Sequence, residues 1–296
     1  MSDTRFGRLI PAMVTPFDSD LNLDLNRAGQ LANRLADNGC DSIVVNGTTG
    51  ESPTVFYPQK IKLFKEVVSS INGKVSVIAN VGDNCTADTI DFAKDVSRLG
   101  VDGLMLVVPY YNKPPQEGLY QHFRAIANSV DLPIILYNIP GRCVINMQAE
   151  TTLRLARDCE NIVGVKEASG DLEQIKFIID NAPDGFEVFS GDDALTMDVM
   201  KLGGSGVIST IANVCPQRMK EIINYCVEQN FDKAKAAHER LLPLMNGLFA
   251  TANPILVKQA LKLSGFDVGG VRLPLVDATD DETAVLMSIM KEVGVL

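Results

Sequence analysis

Short apolar runs rich in β-branched residues alternate along most of the chain with longer segments in which apolar residues recur every three or four positions. The short runs are typical of buried parallel strands, and the longer segments are typical of amphipathic helices. In the first long segment, Leu25, Ala28, Leu31 and Leu35 share one helical face, and Asn38-Gly39 ends it. The pattern therefore predicts a series of strand–helix units on a parallel sheet.

Eight such units can be counted. The predicted strands are Leu9–Val14, Ser42–Val45, Val75–Ala79, Gly103–Val108, Ile134–Tyr137, Ile162–Lys166, Glu187–Ser190 and Gly206–Ile208. Eight repeats in one chain favour a closed (β/α)8 TIM barrel over an open doubly wound sheet, in which a GxGxxG turn is expected after the first strand and is absent here.

The alternation stops beyond about Tyr225. Helical patterns then follow at Phe231–Phe249, Pro254–Leu263 and Thr279–Val293. We therefore expect a catalytic barrel over residues 1–225 and a C-terminal α-helical domain over residues 226–296. The segment Val271–Leu275 between the last two helices is expected to be a linker stiffened by its proline.

Composition narrows the class of partners. The formal net charge is -10 and the isoelectric point is about 4.8, which argues against nucleic acid or an anionic membrane as a partner. The six cysteines form no CxxC or metal-ligand spacing, so reduced thiols in a cytoplasmic protein are expected. Charges in Met1–Arg8 argue against a signal peptide, and no apolar run approaches the ~18 residues of a membrane span.

Histidine is scarce. His122 and His238 are the only two, and both lie in predicted helices. Clustered histidines around zinc and a Ser-His-Asp apparatus are therefore both disfavoured. Nucleophilic chemistry, if present, is expected to depend on a lysine.

One lysine lies where such chemistry would be placed. The buried run Ile162–Val165 ends in Lys166, at the carboxyl end of the predicted sixth strand. Desolvation favours the neutral amine, which is the form that attacks a carbonyl to give a Schiff base. On this stretch alone, a lysine that extends from a strand end to water explains the pattern equally well.

Other unusual residues also follow predicted strands, where active sites of such barrels lie. The segment Asn46–Ser52 carries hydroxyls and backbone amides suited to a carboxylate, and Pro109–Pro115 presents adjacent phenols. Tyr137 and, one turn later, Arg142 offer a phenol and a guanidinium. The acids of Ser190–Asp193 are expected to cap the next helix. Each of these also has a structural explanation as a turn, a packed phenol or a cap.

Several longer motifs resemble a known family. They are Met13–Phe17, Gly47–Ser52, Pro109–Pro114, Gln116–Tyr120, Leu136–Arg142 and Val165–Ala168. At these residues the chain resembles the dihydrodipicolinate synthase branch of the pyruvate-dependent lyase and aldolase superfamily. The resemblance extends over nearly the whole length.

The resemblance implies a reaction and a set of site residues. The implied reaction condenses pyruvate, held as a lysine Schiff base, with L-aspartate 4-semialdehyde in lysine and diaminopimelate biosynthesis, without metal or organic cofactor. The implied catalytic residues are Lys166, Tyr137, Thr48 and Tyr111, and the implied substrate-binding residues are Thr49, Arg142, Gly191 and Ile208. In the family the lysine forms the Schiff base, the three hydroxyl groups pass protons, and the threonine and arginine bind substrate carboxylates.

The resemblance also implies a homotetramer built as a dimer of dimers, in which Tyr111 completes the site of a neighbouring subunit. Lysine-regulated relatives bind lysine at a subunit interface after the Gly-Glu-Ser motif. In this chain Lys60 places a cation in that segment, so weak or absent inhibition by lysine is expected.

One departure keeps an alternative open. The family usually shows Gly-Thr-Gly after the third strand, whereas this chain has Asn80-Val81-Gly82, and the neuraminate lyases tend to carry a non-glycine residue and valine there. The alternative is retro-aldol cleavage of N-acetylneuraminate or a 2-keto-3-deoxy sugar acid. A keto-acid sensor without turnover is a further possibility, against which the intact Lys166, Tyr137 and Thr48 argue.

Overall fold

The strands form one parallel barrel in a computed structural model that describes residues 4–296. The strands are β1 Leu9–Pro11, β2 Ser42–Val45, β3 Ser76–Asn80, β4 Gly103–Val107, β5 Ile134–Asn138, β6 Ile162–Glu167, β7 Glu187–Ser190 and β8 Gly206–Ser209. Their order is β1-β8-β7-β6-β5-β4-β3-β2, with every ladder parallel. A parallel bridge between Ala12 and Val44 closes the circle. The predicted (β/α)8 barrel is confirmed, and residues 1–3 of its expected range lie outside the described part.

Helices connect the strands. They are α1 Leu25–Asp37, α2 Tyr57–Ile71, α3 Thr86–Ser97, α4 Gln116–Ala127, α5 Pro140–Cys143, α6 Ala149–Asp158, α7 Leu172–Asn181, α8 Thr196–Lys201 and α9 Pro216–Val227, followed by α10 Phe231–Gly247, α11 Ile255–Leu263 and α12 Asp280–Glu292. As predicted, α1 stops before Asn38-Gly39, and the φ of +91° at Gly39 is readily adopted only by glycine. The expected division after residue 225 falls inside α9, and the independence of the C-terminal helices stays a prediction.

The first strand is shorter than predicted. Beyond Ala12, whose amide still bonds to β8, the chain leaves β8 because its next amides bond to other partners. The Ala12 amide donates to Ser209 O and the Met13 amide to Val44 O, at 2.7 and 2.9 Å. The Val14 amide donates to Asn213 Oδ1 at 3.1 Å. Residues 12–14 therefore close the barrel and do not extend a single ladder.

Two apolar clusters make up the core. One lies between the strands and the surrounding helices and includes most of the buried helical side chains. The other fills the barrel lumen and consists of Phe6, Ile10, Ala12, Val44, Ile78, Met105, Ile135, Tyr137, Phe189 and Ile208. The lumen is thus a packed core, and any site lies above it at the carboxyl ends of the strands.

A bulge in β6 sets the register at that end. Ile135 of β5 pairs with Gly164, whereas the preceding pair of the ladder involves Ile162, so Val163 is an extra residue. Gly164 has no room for a side chain, because a Cβ atom there would lie 2.6 Å from Glu187 O. Bulges of this kind redirect the side chains that follow them. The bulge therefore determines which side chain of β6 lies beside β5 at the strand ends.

Candidate active site

Lys166 and Tyr137 lie side by side at the carboxyl ends of β6 and β5. They are paired in the parallel ladder, and Lys166 Nζ lies 4.3 Å from the centroid of the Tyr137 ring. Only 6% of Lys166 and 4% of Tyr137 are exposed. The side chain of Lys166 therefore does not extend to water, and the structural alternative left open by the sequence is wrong.

Burial changes the acid–base state of the amine. It lowers the pKa of Lys166 from 10.5 to about 8; the nearby charge of Asp193 raises this pKa and that of Arg142 lowers it. With a pKa near 8, roughly a tenth of the amines are neutral at pH 7, compared with less than one in a thousand for an ordinary lysine. A neutral amine is the nucleophile that Schiff-base chemistry requires.

Tyr137 remains a neutral phenol near pH 7. Burial raises its pKa, and this effect outweighs the charge of Arg142 and a hydrogen bond with Thr48, which both lower it. A protonated phenol is both a hydrogen-bond donor and an acceptor. Its contact with Thr48 on one side and Lys166 on the other suits it to move a proton between groups at the amine.

A cavity of about 400 Å³ lies beside Tyr137 at this end of the barrel, and Lys166 is not among the residues that line it. It is lined by Thr48, Ser52, Pro53, Lys60, Asn80, Gly82, Asp83, Val107, Tyr110, Tyr137, Ile139, Arg142 and Cys143. Three predicted site residues, Thr48, Tyr137 and Arg142, are therefore brought together around one space. Arg142 is exposed on the short helix α5, so its guanidinium lies at the mouth.

The loop Gly47–Ser52 presents hydroxyls to the site. Its amides at Gly50 and Glu51 donate to carbonyls within the loop at 3.0 Å, as does that of Ser52 at 3.3 Å, so these three are not free to bind an anion. The hydroxyl of Thr49 is buried, accepts a hydrogen bond from Asn253 Nδ2 at 2.8 Å and lies 3.5 Å from Thr210 Oγ1. These three amides are therefore not available to a carboxylate, whereas the loop's hydroxyls remain candidates.

Gly191 and Ile208 contribute to the frame of the site. The Gly191 amide donates to Glu167 O at 2.7 Å, and a Cβ atom at Gly191 would lie 2.6 Å from the Cβ of Ala168. Glycine is therefore required where the ends of β6 and β7 approach each other. Ile208 belongs to the lumen cluster that also contains Tyr137.

Tyr111 is placed differently from the other predicted residues. It is 89% exposed and has a φ of +73°, a strained conformation for a residue other than glycine. Its neighbour Tyr110 lines the cavity, and burial with the charge of Asp83 raises the pKa of Tyr110 to about 12. Within one chain, the hydroxyl of Tyr111 is thus directed to solvent.

Asp193 has a role that the sequence did not predict. It was expected to cap the next helix, but the capping acceptor is Asp192, which accepts from the Ala194 amide at 2.9 Å. Asp193 is buried, and its Oδ2 accepts from the amides of Thr210 and Ile211 at 3.0 and 2.9 Å. The prediction for Asp193 was wrong because it joins β7 to the turn after β8, a contact that no local pattern indicates.

The described chain offers neither a metal cluster nor a membrane helix. Among residues 4–296, no three histidine, cysteine, aspartate or glutamate side chains come together as ligands for an ion. Within the same range, each helix is too short or too polar to cross a bilayer. His122 and His238 lie in α4 and α10, as predicted, outside the set of residues that line the cavity.

A (β/α)8 barrel that places a buried lysine beside a tyrosine at the carboxyl ends of its strands has the architecture of a Schiff-base-forming lyase or aldolase. Comparison with known proteins makes the assignment specific. The sequence profile of the Dihydrodipicolinate synthetase family matches residues 5–293, and the chain belongs to this family.

Individual relatives match over their whole length. A protein of Symbiobacterium thermophilum named 4-hydroxy-tetrahydrodipicolinate synthase is 53% identical over 291 residues, which cover 98% of this chain and 99% of that protein. The structure of DHDPS from Cyanidioschyzon merolae with lysine bound has a TM-score of 0.98 and 46% identity, covering 99% of this chain and 100% of that one. A structure described as the first monomeric dihydrodipicolinate synthase variant has a TM-score of 0.96 and 41% identity, covering 98% of each chain.

Proposed function

We propose that this chain is a lyase that condenses pyruvate with L-aspartate 4-semialdehyde, the activity of a 4-hydroxy-tetrahydrodipicolinate synthase. The observation that carries the proposal is the Lys166–Tyr137 pair, buried at neighbouring strand ends, in which Tyr137 also lines a cavity together with Thr48 and Arg142. The names of relatives at about half identity over full length support the same reaction.

The reaction begins at Lys166. Its neutral amine attacks the ketone carbon of pyruvate, and the resulting carbinolamine loses water to form an imine. Loss of a proton from the methyl carbon gives an enamine, and this carbon bonds to the aldehyde carbon of the second substrate. The amine of that substrate then attacks the imine carbon, which closes the ring and releases Lys166. One water leaves overall, and each proton transfer lies near the phenol of Tyr137.

The remaining groups bind and orient the substrates. The Thr49 hydroxyl donates to the carboxylate of pyruvate, and Arg142 at the cavity mouth binds the carboxylate of the aldehyde. Thr48 and Tyr111 continue the proton relay from Tyr137. No metal or organic cofactor takes part in this scheme.

We further propose a homotetramer in the cytoplasm, built as a dimer of dimers. The exposed hydroxyl of Tyr111 supports the assembly, because a residue of the relay must then come from a neighbouring subunit. The six free cysteines of the described chain fit a reducing compartment. A monomeric variant exists among the structural relatives, so the assembly is a property to measure in this protein.

The test is reductive trapping of the adduct. Pyruvate with borohydride should add one reduced pyruvyl group to the wild-type protein at Lys166 and none to Lys166→Ala, as measured by intact mass and peptide mapping. Tyr137→Phe removes only a hydroxyl, so its turnover should fall by about 10² to 10⁴ while the fold persists. An adduct that persists in Lys166→Ala would contradict the proposal.

A product assay separates the alternatives. Purified protein with pyruvate and L-aspartate 4-semialdehyde should form the cyclic product, whereas N-acetylneuraminate should not be cleaved at a comparable rate. Asn80 lines the cavity and makes this comparison necessary. Efficient cleavage of the sugar acid without condensation would assign the chain to the other reaction.

A further inference from the structure

Two polar residues of the C-terminal helical part contact the loop Gly47–Ser52. Asn253 Nδ2 donates to Thr49 Oγ1 at 2.8 Å, across 204 positions of sequence. Lys258 Nζ, on α11, lies 2.6 Å from Glu51 Oε1. The C-terminal part therefore contacts the loop that carries the threonine pair and does more than cover the barrel.

The Lys258–Glu51 ion pair is buried, and each partner has a further polar contact. The two side chains are 3% and 1% exposed. Glu51 Oε2 also accepts from the Arg272 amide at 2.9 Å, and Lys258 Nζ donates to Gly270 O at 2.7 Å. Buried charges persist when each is paired and hydrogen-bonded, and removing one partner leaves the other uncompensated.

The pair holds a strained turn. Glu51 has a φ of +55°, a left-handed conformation that is unfavourable for a residue with a side chain. Its amide donates to Thr48 O at 3.0 Å, so its backbone conformation sets the path of the preceding threonines. Such a conformation persists only where the surroundings fix it, and here the fixing contacts come from Lys258 and the Arg272 amide.

Asn253 sets the direction of the Thr49 hydroxyl. A hydroxyl has one proton to donate and two lone pairs to accept with. Because Asn253 donates to Thr49, the proton of Thr49 must be directed to another acceptor. Thr210 Oγ1, at 3.5 Å, is a distant partner, whereas a carboxylate entering the site is a stronger acceptor.

We propose that Asn253, Lys258 and Glu51 are positioning residues for the carboxylate of the keto acid. Lys258 and Glu51 fix the turn that presents Thr49, and Asn253 directs the Thr49 proton toward the ligand. The inference rests on the proposed function and concerns one half-reaction of it, the binding of pyruvate before the aldehyde enters. The C-terminal part of the chain thereby forms part of the site that binds the keto acid.

The experiment measures the pyruvate concentration at half-maximal borohydride trapping, together with KM for each substrate and the melting temperature. Glu51→Gln and Asn253→Ala should raise the half-maximal pyruvate concentration and the pyruvate KM at least tenfold, with KM for the aldehyde within threefold of wild type. Lys258→Met should behave as Glu51→Gln does, and Lys258→Arg, which keeps the cation, should restore most of the affinity.

The control is Lys220→Met, which removes a less buried ion pair, to Asp41 at 2.5 Å, outside the residues that line the cavity. A merely structural role predicts that the variants lose stability but, like this control, keep the wild-type pyruvate affinity. That result in folded Glu51→Gln or Asn253→Ala would overturn the inference. If Glu51→Gln does not fold, Asn253→Ala decides the question. Failure of the wild-type protein to trap pyruvate would instead overturn the proposed function.

Discussion

At the scale of single residues, burial makes Lys166 reactive at a cost in stability. The amine lies beside an aromatic ring near the barrel lumen, and the pKa of Lys166 falls to about 8 because the charged form is poorly solvated there. The native state therefore binds fewer protons at this residue than the unfolded chain does between pH 8 and pH 10.5. The free energy of unfolding therefore rises with pH through that window. Below pH 8 the burial of the charged amine destabilises the protein to its full extent.

Lys166→Met should accordingly stabilise the protein while abolishing the adduct. The difference between 10.5 and about 8 corresponds to about 3 kcal/mol at pH 7, as an upper limit for removing the charge. Calorimetry should show a melting temperature for Lys166→Met above that of wild type at pH 7, with the gap shrinking as the pH rises from 8 to 10. Lys176→Met, at a lysine half exposed in a surface pair, should show no such gain. A gap that is absent or that widens with pH would contradict the role of burial.

At the scale of elements, α2 places a cation in the cavity beside the relay residues. Lys60 lines the cavity with Asp83, and burial lowers the pKa of Lys60 while the charge of Asp83 raises it. A relative of known structure is described with lysine bound. A cationic ligand entering this part of the cavity meets the like charge of Lys60, a repulsion of at most about 4 kcal/mol at ~4 Å and an effective dielectric of 20, which the opposite charge of Asp83 reduces.

L-lysine should therefore inhibit this protein weakly or not at all. Initial rates at fixed pyruvate should show half-inhibition only above about a millimolar, the affinity of a site of about 4 kcal/mol. Lys60→Met removes the like charge, so the variant should bind L-lysine more tightly than wild type does. Sub-millimolar inhibition of the wild type, or no gain in Lys60→Met, would show that the charge of Lys60 does not control the site.

The elements that the sequence predicted well are those whose signal is local. Parallel strands covered on both faces appear as continuous apolar runs, and for this reason Lys166 was placed correctly at a strand end. The end of β1 was not predicted correctly, because residues 12–14 bond to partners on β8, on β2 and at Asn213. The contact of Asn253 with Thr49 joins positions that are 204 residues apart, and neither hydrophobic periodicity nor a sequence motif predicts such a contact.

The same limit explains the roles of Glu51 and Lys258. Glu51 lay within a motif and was counted as part of a loop, whereas its carboxylate is buried against Lys258. Lys258 is flanked in α11 by the buried residues Leu256, Val257, Ala260 and Leu261. A lysine among apolar helical residues was therefore the only indication in the sequence that this lysine is buried. A buried cation of this kind requires a buried anion, but the sequence does not say which one.

At the scale of the whole molecule, exposed aromatic side chains lie in chain segments that adjoin lining residues of the cavity. Phe56 is 71% exposed and Tyr57 47%, and both follow Ser52 and Pro53, which line the cavity. Tyr110, which lines the cavity, and the adjacent Tyr111 are 37% and 89% exposed. Exposed aromatic surface near the cavity, together with the exposed Tyr111, is what a shared interface between two copies predicts.

A shared interface makes Tyr111 testable by mixing two inactive proteins. Tyr111→Phe should lack the relay hydroxyl and Lys166→Ala the nucleophile, so each alone should turn over slowly or not at all. If Tyr111 acts in the partner's site, a hybrid pair has one complete site, with Lys166 from one copy and Tyr111 from the other. Random 1:1 exchange makes half of the pairs hybrid. Because one of the two sites in each hybrid pair is complete, activity should return to roughly a quarter of that of wild type.

The measurement is the condensation rate after exchange of the two variants, with subunit mixing verified by native mass spectrometry of the mixed masses. The control is a 1:1 mixture of wild type with Lys166→Ala. Only the sites on wild-type subunits keep the nucleophile, so the rate should fall to about half of that of wild type. Because Tyr111 is exposed and Lys166 is buried, the two substitutions should leave each other's surroundings intact. No recovery in verified hybrids would mean that each chain completes its own site, which requires Tyr111 to turn from solvent into the cavity of its own barrel.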